Sequence, residues 1–172
     1  MTLTILLAVL SQSPEIELPK NVALADLGLH VINVGYQRTV HPHVALQASI
    51  GLYTPWTQNS NLLGLSGEAN RGDCTGYVLR VRPFFYLLKE APRGLWVSPF
   101  VQGGLAYQTA GSETVWGQVW AGGASVGWAW LPFDRLHIVF GLGGQFHASV
   151  FSKGPQFARF YPTLDGSLGW AF

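Results

Sequence analysis

His147, Ala148 and Ser149 place an imidazole and a hydroxyl two positions apart. On an extended strand that spacing puts both groups on one face, the pairing of residue types that nucleophilic hydrolysis uses. Asp165 is the only acid after Asp134. It is expected to open the last strand, near the same outer rim, where it could orient His147. Arg80 and Arg82 form a second same-face pair, and guanidinium groups held inside a fold need carboxylate partners. Asp165 is expected to meet them, with Asp26 or a water-filled pocket making up the balance of charge. Other chemistries lack their residues. Cys74 is the single cysteine, so no intramolecular disulfide can form, and no neighbour in the sequence would activate its thiol. No His/Cys cluster has metal-ligand spacing and no glycine-rich loop sits between strand and helix for phosphate, so neither metal nor cofactor is implied. Arg71-Gly72-Asp73 reads as ordinary loop sequence.

Composition narrows what can position these groups. The 172 residues suit one domain. Only 11% are charged, against about 25% in soluble proteins. Aromatics reach 13% and glycine counts 21. The net charge of +1 points to no nucleic-acid partner. A soluble fold with so few charges struggles to cover its surface, whereas a wall facing lipid does not. Helical spans need roughly 18 continuous apolar residues. Only residues 115–133 approach that, and they contain four glycines, Gln118 and Pro132.

A period of two accounts for the chain better. In residues 43–53, Val44, Leu46, Ala48, Ile50 and Leu52 share one face, opposite Ala45, Gln47, Ser49, Gly51 and Tyr53. Residues 135–147 split the same way, with Leu136, Ile138, Phe140 and Leu142 opposing His137, Gly141, Gly143 and Gln145. So do residues 163–172, 76–88, 96–108 and 115–131. Bulky apolar residues on one face and small or polar ones on the other describe a lipid-facing barrel with a crowded interior. A soluble barrel would carry charge outside, and these apolar faces carry almost none. The interior is expected to hold Gln47, Arg80, Arg82, Gln102, His137, Gln145, His147 and Asp165.

Residues 22–37 break the period. Leu27, Leu29 and Val31 share one parity, while Ile32, Val34 and Tyr36 share the other. A turn near His30 is expected in preference to a single bulged strand, which brings the count to about eight, an even number as single-chain bacterial barrels require. Short connections are expected at residues 38–42, 89–94 and 132–134, and longer outer loops between them, above all at residues 55–73. Aromatic girdles are expected at Tyr53 and Trp56, at Phe84 to Tyr86, at Trp128, Trp130 and Phe133, and at Phe157, Phe160 and Tyr161. Residues 1–13 have the apolar core and small-residue end of a secretory signal peptide. Residues 14–20 are expected as a periplasmic segment and residues 21–172 as the barrel.

Asn21-Val22-Ala23-Leu24, Leu27-Gly28-Leu29 and Asn33-Val34-Gly35-Tyr36-Gln37-Arg38 resemble the opening of a broad group of small outer-membrane β-barrel proteins of uncharacterised function, OmpA-like in their eight strands. In that group the strand ends Tyr-Glu-Arg; Gln37 replaces the acid here. Leu79-Arg80-Val81-Arg82-Pro83-Phe84-Phe85-Tyr86 is similar to the group's later arginine-and-tyrosine strand. Leu168-Gly169-Trp170-Ala171-Phe172 is similar to the C-terminal signal read by the outer-membrane assembly machinery, with Trp170 and Phe172 as its aromatics. His147-Ala148-Ser149 is also similar to the His-x-Ser element of outer-membrane lipid A deacylases. That likeness implies Ser149 as nucleophile, His147 as base and Asp165 as the acid, although Val150 stands where that family has Asn.

The expectation is therefore an all-β protein, a transmembrane antiparallel up-and-down β-barrel of about eight strands in the bacterial outer membrane. Its interior fits only its own side chains or one small ligand, which excludes a general porin. A structural, adhesive or narrow binding role follows, with a polar network of Gln47, Arg80, Arg82, Gln102, His137, Gln145 and Asp165 plugging the lumen. Outer-membrane lipids, lipopolysaccharide and the assembly machinery are the expected partners. The alternatives are a lipid A deacylase-like hydrolase using His147, Ser149 and Asp165 and, behind it, a soluble ligand-binding barrel.

Overall fold

The computed structural model describes residues 18–28, 31–53, 74–110, 113–153 and 157–172. The signal-peptide expectation, Cys74's side chain, Trp56 and the 71–73 motif lie outside what is described. Eight strands run in order: β1 (Asn21–Gly28), β2 (Val31–His41), β3 (Val44–Tyr53), β4 (Cys74–Leu88), β5 (Gly94–Ala110), β6 (Glu113–Trp130), β7 (Leu136–Phe151) and β8 (Phe157–Ala171). Each pairs antiparallel with the next, and β1 also pairs with β8, so the sheet closes on itself. Over residues 22–28 of β1 and 165–171 of β8 this closure leaves no edge, which hydrocarbon demands of a β-structure. No helix among the described residues is long and apolar enough to cross a membrane, which says nothing of crossing by strands.

Burial alternates along the strands with a period of two, and it is inverted relative to a soluble barrel. Leu46, Ile50, Leu79, Val101, Leu105, Val126 and Leu142 are exposed, while Gln47, Arg80, Arg82, Gln102, His137 and Asp165 are buried. Apolar outside and polar inside is what a lipid-facing wall requires.

The phase break in the first segment is a connection between two strands. Leu27 is 54% exposed and Ile32 46% exposed although they are five positions apart, an odd step that alternation along one strand would send to opposite faces. Two residues, 29 and 30, lie between the strands, and Val31 is buried on the face opposite Leu27. The register Leu27↔Ile32 explains this, because paired residues must point the same way.

The strands differ in length more than the sequence suggests. β1, β2 and β3 have 8, 11 and 10 residues, whereas β4 through β8 have 15 to 18. About ten suffice to cross a bilayer at a tilt. These long strands absorb sequence expected as loop: at the end away from the termini, two residues join β1 to β2 and two join β5 to β6. Only residues 54–73 make a long connection there. At the opposite end, the turn between β2 and β3 contracts to residues 42–43, since β2 runs on through His41.

The aromatic girdle needs a like correction. Trp130, Phe133, Phe85 and Phe160 face outward, but Tyr53, Phe84, Tyr86 and Tyr161 are buried in the lumen. Neighbours in sequence point to opposite faces of a strand, so an aromatic cluster divides between wall and interior.

Candidate functional site

The lumen side chains fall into layers. At mid-height, three strands contribute opposing charges: Asp26 from β1, Arg80 and Arg82 from β4 and Asp165 from β8. Arg80 Nη1 lies 3.2 Å from Asp26 Oδ2 and 3.5 Å from Asp165 Oδ1. Arg82 Nη2 lies 3.3 Å from Asp165 Oδ2. Two cations and two anions, each only 2–3% exposed, balance to zero.

Neutral groups join the charged ones. Arg80 Nε donates to Gln102 Oε1 at 3.1 Å, Arg82 Nε to Ser98 Oγ at 3.0 Å and Arg82 Nη2 to Ser125 Oγ at 2.8 Å. Asn33 Nδ2 and Gln47 Nε2 point at Asp26 Oδ2, at 3.4 and 3.5 Å. The layer thus draws on seven of the eight strands. Sequence parity had already placed Gln47 and Gln102 on the inward faces. Asn33 was missed because its face depended on where the phase changed, and Asp26 entered only as a possible complement for the same reason.

Toward the end that carries the termini lies an aromatic layer. Arg82 Cζ sits 4.6 Å from the Phe84 ring centre and 5.4 Å from that of Trp96, a cation–π arrangement in a desolvated interior. Phe84 meets Trp96 edge-on at 5.0 Å. Trp96 fits because its neighbours across β6 and β7 are Gly127 and Gly141. A Cβ on Gly127 would stand 2.5 Å from Trp96, and one on Gly141 would stand 2.4 Å away. Beneath, Ala91 and Pro92 from the β4–β5 turn are buried. His137 Nε2 donates to the Pro92 carbonyl at 2.8 Å, and Ala91 N–H donates to the Pro42 carbonyl at 2.7 Å.

Toward the opposite end, Val31, Tyr53, Val78, Ala106, Val115, Val119 and Phe151 form an apolar cluster. Here His147 and Ser149 share the lumen face, both buried, and His147 Nε2 meets Tyr53 Oη at 3.1 Å. Asp165 is elsewhere. It pairs with Gly141 in the β7–β8 register, whereas His147 pairs with Arg159. Six residues of strand separate the two levels, about 20 Å. The expected triad fails for a definable reason: β8 begins at Phe157, six residues before the segment 163–172 read from the sequence, so Asp165 lies mid-strand among arginines. Gln145 is buried between these levels, and Trp170 and Phe172 point outward at the terminal rim.

No protein-family model matches the chain, and no curated protein matches it. Solved structures do. The N-terminal β-barrel domain of OprF from Pseudomonas aeruginosa superposes with a TM-score of 0.50 at 15% identity, covering 89% of this chain and 96% of that one. Ail, the attachment invasion locus protein of Yersinia pestis, gives 0.48 at 10% identity, with 90% and 100% covered. The OprF likeness spans the whole barrel and bears on fold alone. With inverted burial, closure through β1 and β8 and an even strand count, it leads to one conclusion: by fold this chain is an eight-stranded, antiparallel, up-and-down barrel of the outer-membrane kind.

Proposed function

We propose that the protein is an integral outer-membrane barrel whose lumen is plugged by its own polar network and which serves a structural, adhesive or narrow binding role. The observation that carries this reading is the charge-balanced layer of Asp26, Arg80, Arg82 and Asp165. Groups from three strands meet across an interior that, for eight strands, has room for little besides side chains. Aromatic packing below and the apolar cluster above support the plug from both sides. The outer wall contacts membrane lipid and, on the outer leaflet, lipopolysaccharide. Trp170 and Phe172 serve as the terminal signal for assembly.

Two measurements test this. The folded protein should migrate differently on a denaturing gel before and after heating, as closed barrels in detergent do. Inserted into a planar bilayer, it should conduct far less than the water-filled barrels of 16–18 strands. Stable porin-sized openings would overturn the plug.

A further inference from the structure

Strand β6 measures the height of the wall. Trp130 and Trp120 both face outward and lie ten positions apart. At a tilt of 35–45° that is about 25 Å, the height of the apolar band that aromatic girdles flank. The outward residues between them, Trp128, Val126, Ala124 and Gly122, are all apolar. Trp120 also covers Gly103 of β5, where an added Cβ would come 2.6 Å from its ring. The short turns place the Trp130 end at the periplasm, so Trp120 marks the outer edge of the hydrocarbon.

The strand continues past that edge. Gln118 is the first outward polar side chain on β6 above Trp120, and Trp116 stands four positions above Trp120, about 10 Å higher. Trp116 pairs with Tyr107 of β5, and their rings lie 5.3 Å apart, tilted by 53°. Trp116 is exposed and Tyr107 half-buried. The outward residues around the pair, Leu105, Thr114, Gln118 and Val150, are uncharged. Trp120 Nε1 donates to Gln118 Oε1 at 3.3 Å, which orients that amide and leaves its own N–H groups for a ligand.

Direction and chemistry select the occupant. The two rings project sideways, in continuity with the lipid-facing wall, so they reach a molecule lying alongside the barrel in the outer leaflet. They stand above the hydrocarbon, so the part they meet is a headgroup and not an acyl chain. The faces of aromatic rings are negative, which attracts the C–H groups of a sugar and repels a phosphate. The outer-leaflet molecule that carries sugars above its acyl chains is lipopolysaccharide.

We propose that Trp116 and Tyr107 stack on a sugar of the inner saccharide of lipopolysaccharide lying against β5 and β6, with Gln118 donating to one of its hydroxyls. The assignment rests on the outer-membrane reading above and gives the expected lipid a site.

The test is native mass spectrometry of the full chain from micelles holding two lipids in equal amounts. One is lipopolysaccharide that keeps its inner-core sugars, and the other is the same lipid stripped to lipid A. The unaltered chain should retain the core-bearing form roughly tenfold better, the scale of one to two ring contacts. Trp116→Leu with Tyr107→Leu keeps the wall apolar but removes both rings, and should bring the two lipids to equal retention. Equal retention by the unaltered protein, a preference that survives loss of both rings, or a second copy of the chain on this face in place of lipid would each overturn the proposal. Heat-dependent migration of the same samples separates the two readings. A folded, heat-modifiable barrel without the preference overturns the saccharide site alone, whereas a chain soluble without detergent overturns the membrane assignment as well.

Discussion

Arg82→Met is the most informative single change in the charged layer. Arg82 donates to Ser98, Ser125 and Asp165, and its guanidinium rests on the Phe84 ring. Methionine keeps an unbranched, polarizable chain against Phe84 and Trp96 but removes the charge and every donor. Removing one partner of a buried ion pair costs about 3–5 kcal/mol, chiefly because the survivor is left uncompensated. Here Asp165 retains Arg80 at 3.5 Å, a longer contact than the one lost, which places the effect near the lower bound. A loss of about 3 kcal/mol is roughly a hundredfold in the folding equilibrium. Asp165→Asn alone leaves two arginines facing Asp26 and should cost a similar amount. Combined, the two changes restore neutrality with the Arg80–Asp26 pair intact, so the double variant should lose clearly less than the sum of the singles. Urea unfolding in phospholipid vesicles, followed by tryptophan fluorescence, reads all three. An unchanged midpoint for Arg82→Met, or strictly additive losses, would refute the argument from charge balance.

Three further outcomes are expected. Leu79→Arg puts a charge on the lipid-facing wall, where Leu79 is 55% exposed and adjoins the mid-lumen Arg80; it should cost about 2–4 kcal/mol by the same assay, while Phe133→Arg at the terminal turn should cost at most about 1 kcal/mol. Equal costs would place the hydrocarbon elsewhere on the wall. Gly141→Ala drives a methyl into Trp96 and should destabilise by about 1–3 kcal/mol, with part of the loss recovered by Trp96→Phe; no recovery would mean that Trp96 is not the obstacle. Simultaneous replacement of Asp26, Arg80, Arg82 and Asp165 by alanine should raise bilayer conductance above that of the unaltered barrel, and an unchanged trace would assign the block to the aromatic and apolar layers instead.

How much was legible depended on which contacts decide each feature. β3 could be read directly, because Leu46, Ile50 and Leu52 against Gln47 and Ser49 record a wall with lipid on one side. The inward direction of Arg80 and Arg82 followed from the same parity. Strand ends were harder to place. The strands on the taller side continue past the bilayer into water, where the requirement for apolar outward residues relaxes, and Arg159 on β8 is exposed without breaking the strand. That hidden extension moved Asp165 from the rim to mid-height and dissolved the acid of the expected triad. The seat of Trp96 on Gly127 and Gly141 depends on residues more than thirty positions away. A local pattern holds no trace of it.

The unequal strand lengths have a consequence for what can reach this protein from outside. At a tilt of 35–45°, the eight residues of β1 rise about 20 Å, close to the apolar band itself, whereas the eighteen of β6 rise about 45 Å. The strands of one flank therefore end nearly flush with the headgroups, and those of the other stand like a parapet above them. Antibodies, phage or host surfaces approaching that taller flank from the side would meet strand rather than lipid headgroup.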